Sequence, residues 1–171
     1  MVMVRDITMD DWKLLRDVRL DALSEAPSAF GSTYAREATF TEEQWRDRIS
    51  DRSVTFFGYA DPGFVANPLD PASTEGDPEG LAGVYVEGRE AELVSMWVRP
   101  SARGQGVGQT LVRAAALWAQ ERGYPALYLW VTETNESARR LYERCGFIPT
   151  GDRQPLPSSP DLQEVRMRLP L

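Results

Sequence analysis

Apolar residues recur along this chain with two periods, and the switches between them mark its elements. Val2–Thr8 alternates and predicts an opening strand. From Asp10 or Asp11 onward, Trp12, Leu15, Val18 and Ala22 fall at helical spacing, and the Pro27 region ends that helix. Residues 28–40 read as a loop with one short helical turn. Thr41 and Gln44 form a capping-box pair that opens a second helix running to about Arg52. Ser53–Ala60 and Leu81–Glu87 are β-branched and aromatic strands, and Ala91–Val98 is a strand with a dense apolar end that Pro100 stops. A glycine-rich turn leads into a helix from about Val107 to Arg122, with Val107, Leu111, Ala114 or Ala115, and Trp118 on its apolar face. Gly123 closes it.

Ala126–Val131 is apolar without interruption and predicts a central strand. Asn135 then caps a last helix that carries Ala138, Leu141, Tyr142 and Cys145 on one stripe, and Gly146 stops it. Phe147–Arg153 and Leu162–Leu169 are terminal strands with a proline-rich loop between them. The order β α α β β β α β α β β predicts an α/β fold, a mixed sheet with helices on its faces. Residues 91–131 form a right-handed crossover within it. Residues 61–80 hold four prolines, five acidic residues and no basic ones. This segment cannot pack extensively and reads as a long hairpin connection or a partly disordered insertion.

At 171 residues the chain is expected to form one domain, 1–171, carrying that insertion. Its 19 Lys and Arg against 26 Asp and Glu give a net charge of −7. That balance lacks the basic footprint of a nucleic-acid binder and favours cations, amines included. There is no histidine. The commonest general base, the Ser-His-Asp arrangement and every His-containing metal site are therefore excluded. The single Cys145 cannot form an internal disulfide. The longest apolar runs, Ala114–Ala119 and Ala126–Val131, are too short to span a membrane, and Met1–Trp12 has no signal-peptide stretch. A soluble, cytoplasmic protein is expected. Its chemistry must run on carboxylates, tyrosine, serine, threonine or backbone, with no metal.

The informative segment is Val98-Arg99-Pro100-Ser101-Ala102-Arg103-Gly104-Gln105-Gly106-Val107-Gly108, between a strand and a helix. Glycines let backbone approach a ligand closely, and free N–H groups at a helix start favour an anion, so this is a phosphate cradle with Arg103 at its mouth. The dinucleotide fingerprint fails at Gln109 or Leu111, and a Walker loop fails at Arg103 and Gln109. What matches is Arg-x-x-Gly-x-Gly, Arg103 to Gly108. With it goes Asn135-Glu136-Ser137-Ala138-Arg139-Arg140-Leu141-Tyr142-Glu143-Arg144-Cys145-Gly146-Phe147, which fits N-x-x-A-x-x-L-Y-x-x-x-G-F. In these two blocks and their spacing the chain resembles the GNAT superfamily of N-acetyltransferases.

The resemblance implies a single GNAT-like domain with a mostly antiparallel sheet of about seven strands. It implies acetyl-coenzyme A as acetyl donor, held by Met96, Trp97 and Val98 on the strand and by Arg103, Gly104, Gln105, Gly106, Val107, Gly108 and Gln109 in the cradle. Asn135 and Tyr142 complete the cofactor site. Relatives are often dimers. Transfer to an amine needs a neutral nucleophile, a stabilised oxyanion and a proton for the leaving thiolate. Tyr142, a phenol with an ordinary pKa near 10, is the expected acid. Glu92 is the candidate base, with Glu90 and Glu87 as weaker alternatives, and relatives that use the next strand place a glutamate where this chain has Trp130. Strand alternation sets 92, 94, 96 and 98 on one side. Backbone N–H near Val98 is the implied oxyanion donor. Cys145 reads as packing, Arg139 and Arg140 as phosphate contacts or an exposed helix face, and Tyr34 as an acceptor-site wall. The expected activity is transfer to a primary amine by direct attack in a ternary complex. A non-catalytic acyl-coenzyme A-binding module is the competing reading, and a nucleotide-binding oxidoreductase, which predicts NAD binding, is a third.

Overall fold

The computed structural model describes residues 1–60, 66–67, 70–74 and 76–171, with the two short strands at 66–67 and 70–74 described by backbone. Strand β1 (Met3–Asp6) leads through a 3-10 turn at Met9–Asp11 into helix α1 (Trp12–Glu25). A second 3-10 turn at Pro27–Ala29 follows, and helix α2 (Tyr34–Glu37) is the short helical turn expected within the loop at 28–40. Helix α3 (Glu42–Asp47) starts at the Thr41–Gln44 capping box, with Thr41 N–H donating to Gln44 Oε1 at 2.8 Å. It ends five residues before the expected Arg52. There Ser53 N–H donates to the Ser50 carbonyl and the two serine hydroxyls meet at 3.2 Å, a local turn that competes with the helix.

Strands β2 (Ser53–Tyr59), β5 (Gly80–Glu87), β6 (Glu90–Val98), β7 (Ala126–Thr132), β8 (Ile148–Leu156) and β9 (Ser159–Pro170) join β1 in one sheet. Helices α4 (Val107–Glu121) and α5 (Glu136–Arg144) complete the chain. The strand order is β1-β2-β5-β6-β7-β9-β8, and only the β6–β7 neighbours run parallel. The sheet is thus mixed and mostly antiparallel, seven strands as expected. Because β2 and β5 pair antiparallel, the insertion is a hairpin connection. It contributes a small strand pair of its own, β3 (Ala66–Asn67) and β4 (Asp70–Thr74). The partial disorder expected of the segment concerns residues outside the described ones.

One core lies between α4 and the sheet. Val107, Leu111, Val112, Ala115 and Ala119 pack there with Val84, Leu127 and Leu129. Ala119, rather than Trp118, completes the buried stripe, and Trp118 instead carries the Arg122 guanidinium 4.0 Å from its ring centre. The second core lies on the opposite face, where Leu15, Val18 and Leu23 of α1 and Trp45 of α3 cover Phe57, Leu81 and Trp97. The proline-rich loop expected at 154–161 is a tight hairpin. Pro155 pairs with Gln163 and Leu156 with Ser159. Edge strand β8 tolerates proline because its outer side needs no ladder donor. Among the described residues no helix is long and apolar enough to cross a membrane.

Candidate active site where β6 and β7 part

The parallel seam between β6 and β7 is short. Only Ala91–Leu127 and Glu92–Tyr128 are in register, although β6 continues to Val98 and β7 to Thr132. Beyond those pairs the strands diverge and a cleft of about 780 Å³ opens. Its walls are Leu93–Val98 on β6, Trp130, Val131 and Thr132 on β7, and Asn135, Leu141 and Tyr142 from the α5 region. The glycine turn closes one end, and residues 25–30, from the last residue of α1 onward, form a further wall. Divergence leaves backbone N–H and C=O groups of β6 without a strand partner on the β7 side, available to an extended ligand.

A β-bulge shapes this wall. The register of β6 against β5 slips between Leu81–Trp97 and Gly83–Val94, and Ser95 in the bulge has φ 59°. Ala91 and Leu93 pack on the α4 side, and so do Met96 and Val98, while Trp97 packs on the α1 side. Simple alternation from 92 to 98 therefore does not hold, because the extra residue reverses the phase. Glu92 faces away from Met96 and Val98.

The glycine turn forms a cradle at the N-terminus of α4. Gly106 caps that helix with φ 89°, a left-handed conformation that other residues adopt at a cost. The N–H groups of Val107, Gly108 and Gln109 lie in the first helical turn, where no preceding carbonyl of the helix receives them. A Cβ at Gly108 would lie 3.0 Å from Leu141 Cδ2 and 3.2 Å from Met96 Cε. Glycine here is what lets α4 close against both β6 and α5. Among the residues expected in the cofactor site, Met96, Trp97, Val98, Arg103, Gly104, Gly106, Val107, Gly108, Gln109, Asn135 and Tyr142 line the cleft. Gln105 does not, and its side-chain amide donates to the Ser101 carbonyl at 3.1 Å.

Arg103 is not a free cation. Its Nη2 donates to Glu25 Oε2 at 2.8 Å and its Nε to the Val98 carbonyl at 3.0 Å. Trp97 Nε1 donates to the same Glu25 oxygen at 2.8 Å, and Arg99 pairs with Asp21 at 2.9 Å. The C-terminal half of α1 is thereby latched to the cradle. The sequence reading missed Glu25, which lies 78 positions from Arg103 with no local pattern to reveal the pair.

Tyr142 is buried against Phe147, ring centres 5.7 Å apart, and its hydroxyl has no hydrogen-bond partner among the described residues. Burial, with a smaller contribution from Cys145, pushes the phenol far above its ordinary 10. The group stays protonated at neutral pH and so keeps a proton to donate. Asn135 caps α5, its Oδ1 accepting from Ala138 N–H at 3.3 Å. Cys145 is half-buried and burial raises its thiol, as expected of a packing residue.

Glu92 is half-buried beside Tyr85 and Tyr128 and does not line the cleft. Burial raises its pKa. Arg166 opposes that, and Glu164, Glu90 and Glu87 reinforce it. Tyr34 starts α2, half-exposed and outside the cleft. Arg139 donates to the Glu133 carbonyl, and Arg140 pairs with Glu136 on the exposed helix face. Among the described residues no cluster of His, Cys, Asp or Glu could hold a metal.

The acetyltransferase (GNAT) family profile matches residues 21–147 of this chain, which hold the cleft's strands, cradle and α5. The chain belongs to the GNAT acetyltransferase family. A mycothiol acetyltransferase of Jonesia denitrificans is 29% identical over 163 residues, 87% of this chain and 51% of that protein. A streptothricin acetyltransferase of Streptomyces lavendulae is 40% identical over 79 residues, 45% of this chain and 42% of that one. The chain thus spans about half the length of these curated relatives. A GCN5-related N-acetyltransferase from Kribbella flavida has the same fold, with a TM-score of 0.65 at 27% identity, covering 99% of this chain and 98% of that one.

Proposed function

We propose that the protein is an acetyl-coenzyme A-dependent N-acetyltransferase that acts on a primary amine by direct attack in a ternary complex. The observation that carries this reading is the cleft where β6 and β7 part, with the α4 cradle and Tyr142 of α5 both in its lining. The residues fit the cofactor. First-turn N–H groups of α4 suit a pyrophosphate, and Gly108 lets that helix end sit close to Met96 of β6. The diverging backbone of Met96–Val98 suits the amide-bearing acyl arm, which supplies an activated thioester.

The chain's own groups then have distinct tasks. Backbone N–H near Val98 stabilises the oxyanion formed on attack. Tyr142, held neutral by burial, donates its proton to the departing thiolate. Glu92, which stands outside the cleft lining, accepts a proton from the incoming ammonium through water. Its raised pKa brings it closer to neutrality, and the bulge sets it on the sheet face away from Met96 and Val98. The Kribbella flavida relative is described as an N-acetyltransferase, which supports transfer to nitrogen.

The test is thiol release from acetyl-coenzyme A across a panel of small-molecule, peptide and polyamine acceptors. Amine-dependent release is expected. Tight acetyl-coenzyme A binding with no turnover on any amine would favour the non-catalytic binding module instead.

A further inference from the structure

Ser95 is the only non-glycine residue with a left-handed φ among the described residues. A serine does not hold that conformation by its own preference, so its surroundings must impose it. They do so from the α1 side. Arg19 Nη1 donates to Ser95 Oγ at 3.3 Å. Arg19 is itself fixed. Its Nε and Nη2 donate to the two Glu37 carboxylate oxygens at 3.0 Å each, and its guanidinium lies 4.7 Å from the ring centre of Phe30, a residue of the cleft wall. Glu37 is fully buried and takes a second fork from Arg48 at 2.9 and 3.1 Å. Four charge-assisted bonds on one carboxylate make a rigid anchor for the arginine that touches the bulge.

A buried ion network contributes less stability than well-packed apolar residues of the same volume, so stability alone is a poor reason for it. Its placement gives another. The bulge between Val94 and Trp97 is where β6 reverses phase, and it follows directly on the last β7 pair, Glu92–Tyr128. We propose that Arg19 is a positioning residue, aimed by Glu37 at Ser95 so that the bulge holds Met96–Val98 open toward β7 as the acyl-donor wall. The proposal rests on reading the cleft as the acetyl-coenzyme A site. It makes the helices after α1, which carry Glu37 and lead to Arg48, part of the donor site although neither residue lines it.

The test measures acetyl-coenzyme A affinity by calorimetry and thermal unfolding on the full chain. Ser95→Gly removes both the hydroxyl and the backbone restriction. It is expected to keep or raise Tm while weakening acetyl-coenzyme A by about fivefold. Arg19→Met is expected to weaken it similarly and to lower Tm, and the double variant to bind no more weakly than the weaker single one. A merely structural network would lower Tm in Arg19→Met and leave both affinities unchanged, which overturns the proposal. Additive losses in the double variant also overturn it, since Arg19 would then act elsewhere. If Arg19→Met does not fold, Ser95→Gly decides alone, and undiminished affinity sinks the idea. No binding of acetyl-coenzyme A by the unaltered protein would instead overturn the reading of the cleft, and the positioning role with it.

Discussion

Glu37 makes the energetic role of the buried network measurable. Burial by itself would push this carboxyl up, but the fork from Arg19, then that from Arg48, holds it down to about 2 from an ordinary 4.5. A depressed folded-state pKa means that the ionised form is favoured by folding. The stabilisation is therefore present above pH 4.5 and is lost as pH falls toward 2. Its full size is about 3 kcal/mol, and about 2 kcal/mol of it is gone by a pH of about 3. Glu37→Gln removes the charge at every pH and leaves buried Arg19 with no counterion, at a cost of about 3–5 kcal/mol near neutrality. Urea unfolding of both proteins at neutral pH and near pH 3 isolates this carboxyl, because other acids titrate equally in the two. The stability gap is expected to narrow by about 2 kcal/mol at the lower pH. A gap that stays constant would show that Glu37 is not held by its two arginines, and the reasoning would fail.

Tyr142→Phe deletes only the donor hydroxyl. It should lower kcat by about a hundredfold in the thiol-release assay while KM for acetyl-coenzyme A changes little. An unchanged kcat would remove Tyr142 from the mechanism. Gly108→Ala drives a Cβ to 3.0 Å from Leu141 and 3.2 Å from Met96. It should destabilise the fold by about 1–3 kcal/mol in denaturant titration and weaken acetyl-coenzyme A binding. Glu92→Gln should abolish the acidic limb of the kcat/KM profile against pH. In the unaltered protein that limb is expected above 4.5, because burial raises the group. Identical profiles in the two proteins would dismiss Glu92 as the base.

Much of the fold was legible because it is written in local periodicity. The Thr41–Gln44 box, Gly106 at the start of α4 and Asn135 at the start of α5 are each signals within four residues of the feature they set. The cradle was legible for the same reason. What escaped was non-local. The ion pair of Glu25 with Arg103 and the bond of Arg19 to Ser95 span 78 and 76 positions, and no spacing rule reaches that far. The bulge escaped because alternation is read by assuming a regular strand, and one serine in an unusual conformation reverses it. At 154–161 the prolines suggested a loop, but Pro155 lies in edge strand β8, Pro157 in the turn, and Pro160 in β9 before its pairing with β7 begins.

The narrow seam between β6 and β7 also divides the molecule as a cooperative object. Strands β1, β2, β5 and β6 form one antiparallel block, and β7, β9 and β8 form another. Two register pairs join their backbones, and α4 packs across both. Amide exchange should therefore fall into two protection classes that meet at this line, each an opening unit of its own. The chain also has a natural severing point at Gly123–Pro125, between α4 and β7, where one cut would leave both ladders whole. A molecule lying in the cleft would touch both blocks, so occupancy would merge the two opening units into one.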